Sequence, residues 1–471
     1  MTDQNGFLLI EEIKTSLKPP DAFDRFESRR LPFFIDSGMD PHKLGRYSFI
    51  GSDPFLVLKS RGSSIIIDRG GVVEELGGNP FDMLGSLLVK YRLDYKDAPV
   101  PFIGGVVGYL SYDLCHFIEK LPTSAVDDLQ LPECYLCFYD CILAFDNLEG
   151  RAYILSSGLP EKDRGKREKR AKERLEEVKA ILDSGKSCRQ PVRSAKKKTE
   201  LNSGFSRQQY IAAVEKARQY IIDGDIFEVN LSQRFEAEIN ITPYELYKKL
   251  RHINPAPFAC YLGFDEVAVV GASPERFLKK KGDWVETRPI KGTRPRGATP
   301  QQDQALADEL LSSVKDRAEN MMIVDLERND LGRVCRYGTV KVTELAILEV
   351  YPTVFHLTST VVGRLGEGRG CVDLLKATFP GGSITGAPKV RAMQIIDELE
   401  PTRRSVYTGG IGYIGFNGDM DLNIVIRTIL VKDGKAYFQV GGAVVYDSQP
   451  EAEYEETLHK AKALMQSLDA V

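Results

Sequence analysis

Lys291 lies in Arg288-Pro289-Ile290-Lys291-Gly292-Thr293-Arg294, which is no setting for a lysine on a solvated helix. Pro289 fixes its own φ and donates no N–H, and Gly292 permits a sharp bend. A lysine held between them is aimed into a pocket. Desolvated there, with Arg288 and Arg294 nearby, its amine is expected below its ordinary pKa and able to act as a nucleophile. Glu275, in Ala272-Ser273-Pro274-Glu275-Arg276-Phe277, follows a Ser-Pro turn at the end of an apolar run. A partly desolvated carboxyl in that position suits a general acid.

Two further segments carry acids three residues apart, Asp316 with Glu319 and Glu453 with Glu456. On helices, each pair shares one face. Either pair alone reads as ordinary solvated carboxylates. Together, from two helices, the four form a hard oxygen site for Mg²⁺, an ion that keeps several waters and shares its shell with substrate oxygens. Arg427 interrupts the apolar Asn423-Ile424-Val425-Ile426-Arg427-Thr428-Ile429-Leu430-Val431, and a buried arginine there needs an anionic partner. The glycine-rich Phe379–Lys389 loop, with the hydroxyls Ser383 and Thr385, opens a helix whose N-terminus suits an anion, and Val440-Gly441-Gly442-Ala443 offers amides at a strand end. The substrate these groups imply is a small carboxylate, or a dicarboxylate shared by Arg427 and Mg²⁺. His356, in Val354-Phe355-His356-Leu357-Thr358, reads first as a core histidine and second as a pocket residue.

The elements that must position these residues are legible in outline. Residues 1–157 are strand-rich. Residues 158–204 hold a charged helix, apolar only near its end, and a basic linker, both expected to be solvated. Residues 205–466 mix capped helices and strands, with Ser206 as an N-cap, a stop near Gly224, and a long helical stretch over residues 300–334. A weak echo links Gly104–Leu110 with Gly409–Gly415, as two glycine-rich strands of one antiparallel assembly would.

With 471 residues, 42% of them hydrophobic, the chain can bury a large core, and a net charge of −4 gives no case for nucleic acid or an anionic membrane. No apolar run spans a bilayer and no basic, apolar leader opens the chain, so the expected location is the cytoplasm. The eight cysteines fit reduced thiols. Cys134, Cys137 and Cys141 sit in an apolar strand-like run without a further ligand cluster to make a metal site.

Taken in order, GDIFEVNLSQRF, NPAPF, GASPERF, PIKGTRPR, DRAENMMIVDLERNDLGRV, PGGSITGAPKVRAM, YTGGIGY, VIRT and EAEYEET resemble the chorismate-utilising enzyme family, also called the anthranilate synthase component I family. Residues 23–60 and 100–145 resemble its N-terminal region. The resemblance implies a large α/β (α+β) fold of two antiparallel sheets sandwiching a cleft and flanked by helices. Lysine in PIKGT resembles the aminodeoxychorismate branch, where anthranilate synthases carry alanine. Glu228 stands where isochorismate and salicylate synthases place a lysine base, which argues against water addition. The resemblance implies that Lys291 attacks C2 of chorismate while Glu275 protonates the C4 hydroxyl. It implies Mg²⁺ on Glu319 and Glu456, with Asp316 and Glu453 acting through water. It places Arg427, Tyr407, Gly442, His356 and Ser383 around the substrate. No glutaminase nucleophile elbow is present, so a separate glutamine amidotransferase subunit is expected to supply ammonia. Ser37, Pro257 and Phe258 match a region that encloses tryptophan in relatives, although Phe34-Ile35-Asp36-Ser37 replaces the leucine-rich form found in regulated members. Two alternatives are anthranilate synthase component I and a catalytically silent subunit that only binds a glutaminase.

Overall fold

The structure, a computed structural model, describes residues 7–40, 42–95, 97–184, 199–351 and 354–469. Cys188 and most of the expected basic linker lie outside the described residues. Two antiparallel sheets of twelve strands each dominate, as the resemblance implies.

Neither sheet belongs to one half of the chain. In the first, strands from the N-terminal region end at Phe33–Asp36, which pairs with Phe258–Gly263; Ala268–Ser273, Thr428–Lys432, Lys435–Val444 and Glu228–Glu238 follow. In the second, Gly105–Leu110 pairs with Gly410–Gly415, in register from Gly410 opposite Leu110 to Gly415 opposite Gly105. The glycine-rich echo is therefore two adjacent strands. Glycine is required there because the backbones nearly touch: a Cβ on Gly108 would stand 2.0 Å from the Tyr135 carbonyl oxygen, and one on Gly412 2.0 Å from that of Asp421.

The largest apolar core lies between the sheets, where Phe49, Phe102 and Tyr413 pack with ring centroids 4.5–5.5 Å apart. Cys134 and Cys137 are on the buried strand Cys134–Tyr139, where an odd spacing sends the side chains to opposite faces. Helices cover the outer face of the first sheet. The charged helix Arg164–Asp183 is among them, so the fully solvated helix expected from its composition is corrected. Ala171, Leu175, Val178 and Leu182 form a buried stripe, and Arg170 Nε reaches the buried Asp140 at 2.9 Å. Asp316 and Glu319 stand on the helix Val314–Gly332, and Glu453 and Glu456 on Pro450–Ser467. Ser313 ends the preceding helix, Pro300–Ser312, and caps Val314–Gly332, its hydroxyl accepting from the Asp316 amide at 3.2 Å.

Candidate active site

Lys291 owes its direction to a bulge. The strand Ile290–Pro295 pairs with Val354–Arg364, but Ile290 faces Thr358 while Thr293 faces His356, so one residue is extra between them. Gly292 occupies the bulge at φ +86°, where a side chain would press on Leu310 and Asp316. The bulge turns Lys291 inward, and its Nζ donates to Glu228 Oε1 at 2.6 Å. Burial pulls the amine down, but the carboxylates of Glu228, Glu319 and Glu275 outweigh it and hold the amine above its ordinary value. The expected depression by neighbouring cations is therefore corrected. Arg288 is turned to Glu344 and Glu349 at 2.6 and 2.7 Å, and Arg294 to Glu309 and Asp316 at 2.8 and 3.0 Å.

Glu275 sits in the turn between Ala268–Ser273 and Arg276–Lys281. It is buried, and Ser383 Oγ donates to its Oε1 at 2.6 Å. Burial pushes its carboxyl up to about 7, even with Ser383, the Ile290 amide and Lys291 favouring the charged form. A carboxyl poised near neutrality can give a proton and take it back.

The glycine-rich loop is tied to helix Val314–Gly332. Its Gly382 amide donates to Glu327 at 3.0 Å, and Lys389 ties Asp330 to the carbonyls of Thr378 and Pro380 at 2.9 and 2.8 Å. The Gly382 amide and Lys389 thus anchor the loop to helix Val314–Gly332, and Ser383 reaches Glu275.

The four acids on the two helices differ in what already holds them. Asp316 is paired with Arg294, and Glu456 with Lys460 at 2.7 Å, whose charge outweighs the opposing effect of burial and leaves Glu456 below the usual carboxylate range. Burial lifts Glu453 and raises Glu319 to about 7. Among the described residues no three acids, histidines or cysteines already stand together as a metal cage. Glu319 Oε1 and Glu453 Oε2 are buried without hydrogen-bond partners, and the nearest cation to Glu319 Oε1, Lys315 Nζ, stands 3.8 Å away. Gly442 leaves room beside Glu453 and Glu456: a Cβ there would lie 3.2 Å from Glu453 Oε2 and 3.4 Å from Glu456 Oε1. Unsatisfied hard oxygens on two helices, with Gly442 leaving space beside the second pair, fit a divalent cation that completes its shell with water and substrate oxygens.

Arg427 is not inside a strand, as the apolar run suggested, but in the break between Met420–Ile424 and Thr428–Lys432 at φ +51°. This left-handed conformation is uncommon for a side-chain-bearing residue. Its Nη1 donates to the Lys460 carbonyl at 2.6 Å, and among the described residues no carboxylate lies within ion-pair distance. Burial lowers its pKa, with Tyr407 and Glu456 pulling the other way. His356 Nδ1 and Thr293 Oγ1 are 2.8 Å apart, and burial with nearby Arg427 lowers the imidazole to about 4, so it is neutral at physiological pH. Ser37 lies apart, where Phe33–Asp36 meets Phe258–Gly263. Its hydroxyl donates to the Tyr47 carbonyl at 2.6 Å, the next amide, of Gly38, donates to the Ala256 carbonyl at 3.1 Å beside Pro257, and Phe258 lies under the Arg276 guanidinium.

Two residues gain importance only in three dimensions. Glu228, which in sequence argues only against water addition, is wholly buried against Lys291; an acid in the apolar Ile226-Phe227-Glu228-Val229 is the signal the sequence offers. Arg404 pairs with Glu400, donates to the Asn230 carbonyl at 2.7 Å and the Ile384 carbonyl at 2.9 Å, and thereby ties Glu228's strand to Ser383's loop.

The model of a family described as chorismate binding enzyme matches residues 78–466. Anthranilate synthase component 1 from Acetivibrio thermocellus is 42% identical, over 99% of this chain and 96% of its own length. Aminodeoxychorismate synthase component 1 from Bacillus subtilis is 41% identical, over 90% of each chain. The solved anthranilate synthase component I from Streptococcus pneumoniae superimposes with a TM-score of 0.78 at 33% identity, covering 90% of this chain and 94% of that one. Identity to relatives with two different products is nearly equal, so identity does not choose between them.

Proposed function

The chain belongs to the chorismate binding enzyme family, and on that premise we propose that it converts chorismate and ammonia to 4-amino-4-deoxychorismate, as component I of a synthase whose glutaminase is a separate chain. The observation that carries this reading is the Lys291 amine, buried and hydrogen-bonded at 2.6 Å to Glu228. With alanine at this position, ammonia itself would have to attack C2, the anthranilate-forming course. An amine attached to the protein takes C2 first and leaves C4 for ammonia.

Chorismate is a dicarboxylate with an allylic hydroxyl at C4. Arg427, which has no carboxylate partner among the described residues, receives the enolpyruvyl carboxylate, with Tyr407 and the Gly442 backbone beside it. Glu275 gives its proton to the hydroxyl as the C4–O bond breaks, held in line by Ser383. The Lys291 amine, freed of its proton, bonds to C2. Ammonia then adds at C4, the C2–N bond breaks, and Glu275 takes the proton that the new amine sheds. Neutral His356 lines the pocket without adding charge. Glu319 and Glu456, with Asp316 and Glu453 behind them, are the residues that would hold Mg²⁺, which when bound supplies positive charge to the ring carboxylate. Tryptophan at Ser37, Pro257 and Phe258 remains part of the proposal as a second, non-catalytic site.

The competing reading, anthranilate synthase component I, rests on the 42% identical relative. Mass spectrometry of the product formed from chorismate, ammonium and Mg²⁺ separates the two. Aminodeoxychorismate is expected; anthranilate with release of pyruvate overturns the proposal.

A further inference from the structure

Glu228 opens the strand Glu228–Glu238 and is 0% exposed. Its backbone is fixed on two sides, opposite Ala387 and next to the Val229–Val444 pair. Its Oε1 accepts from Lys291 Nζ at 2.6 Å and from Asn230 Nδ2 at 3.3 Å, while its Oε2 is buried with no hydrogen-bond partner. Packing does not explain such a residue. A buried ion pair adds little stability over apolar side chains of the same volume, and an unsatisfied carboxylate oxygen costs more. What Glu228 does have is contact with the atom that must react.

The other charged groups facing Lys291 are Glu275 from the turn after Ala268–Ser273, Glu319 from helix Val314–Gly332 and Glu456 from helix Pro450–Ser467. None is hydrogen-bonded to Nζ, and Glu275 Oε1 already accepts from Ser383 and the Ile290 amide. They favour the ammonium but are not placed to relieve it of a proton. Loss of the proton to solvent would leave a scarce amine, because the surrounding carboxylates hold Lys291 above its ordinary value.

We propose that Glu228 is the base that takes the proton from Lys291 Nζ and returns it at the end of each turnover, an inference that rests on Lys291 being the nucleophile. The proton crosses from Nζ to Oε1, leaving a neutral amine and a carboxylic acid. The nitrogen lone pair forms the bond to the substrate carbon as the C–O bond breaks, and the departing hydroxyl leaves as water with the Glu275 proton. When ammonia displaces the lysine, the electron pair of the C–N bond returns to Nζ, which recovers its proton from Glu228.

Glu228→Gln keeps the shape and a hydrogen bond but accepts no proton. The test is rapid quench of enzyme mixed with chorismate and Mg²⁺ without ammonia, reading the lysine adduct by intact-protein mass across pH, alongside steady-state kcat and KM with ammonium. The Gln variant is expected to form adduct roughly 100-fold more slowly at neutral pH, with KM nearly unchanged. Its rate is expected to climb about tenfold per pH unit where the wild-type rate is level, because its lysine must now lose the proton to water. Glu228→Asp, with its carboxylate drawn back, is expected to fall between the two in rate and to keep the level profile. It serves as the reading if the Gln variant does not fold. Adduct formation by Glu228→Gln at the wild-type rate and profile overturns the proposal, as does an Asp variant with a sloping profile. Absence of any adduct in the wild-type enzyme strikes the nucleophile reading instead, so the two failures are distinct.

Discussion

Among single residues, the site separates two carboxyls by what each contacts. Glu275 is buried with a hydroxyl and an amide and sits near 7, while Glu228 meets the lysine directly. On the proposed mechanism, adduct formation requires Glu275 in its acid form, so its rate is expected to fall as pH rises above about 7. In Glu275→Gln that alkaline limb should vanish together with at least 100-fold of the rate. The same shift has a cost in stability. A carboxyl raised from an ordinary 4.5 to about 7 contributes favourably below 4.5, and that contribution is lost as pH rises through 7. Glu275→Gln should therefore gain in melting temperature relative to wild type at pH 8 compared with pH 5; an equal difference at both pH values would mean that the carboxyl is not raised. Lys291→Ala should abolish aminodeoxychorismate formation and leave, at most, slow anthranilate-type chemistry at C2. Unchanged aminodeoxychorismate turnover would remove Lys291 as nucleophile.

Two helices carry the acids, and their placement depends on how each begins. Ser313 joins Pro300–Ser312 to Val314–Gly332 and caps the latter through the Asp316 amide, fixing the turn from which Asp316 and Glu319 project. Ser313→Ala should lower stability by about 1 kcal/mol and raise the Mg²⁺ concentration needed for half-maximal activity. Glu319→Gln and Glu456→Gln should each raise that requirement at least tenfold with the fold intact by circular dichroism, because a site with few protein ligands has no spare oxygen. Activity that is indifferent to Mg²⁺ in either variant would return these acids to the status of helix-surface charges.

Across the whole molecule, both sheets are closed by strands from opposite ends of the chain. Residues 1–157 and 205–466 read as separate regions in sequence, but Phe33–Asp36 completes the sheet that carries Glu228, and Gly105–Leu110 completes the one that carries Glu275's neighbours. A fragment of 205–466 alone would expose unpaired edges and the inner faces of both sheets. Expressed without the N-terminal region, it should be insoluble or lack a cooperative thermal transition; a folded, chorismate-binding fragment would show that the halves are independent. The full chain assayed alone should use ammonium salts, increasingly so as pH rises and neutral ammonia becomes more abundant, and should not use glutamine until a glutaminase is added. Glutamine-dependent product from the purified chain alone would reveal an amidotransferase site in it.

Sequence by itself determined the family, through motif order, and the capped helices and the adjacency hinted at by the glycine echo, through period and turn chemistry; the two-sheet architecture came only as what the family resemblance implies. It also singled out Lys291, Glu275 and Ser383, whose neighbours in the chain betray a turn or a pocket. It misjudged the charge state of Lys291, since Arg288 and Arg294 are close along the chain while Glu228, Glu319 and Glu275 are close only in space. It missed the buried stripe of Arg164–Asp183, whose few apolar residues are outnumbered by charge until the sheet meets them. The contact of Glu228 with Lys291, 63 positions away, was likewise decided by tertiary structure alone. A bulge at Gly292 and a strand pinned between Ala387 and Val444 bring the two side chains together, and electrostatic environment depends on distance through space, which a linear order of residues does not contain.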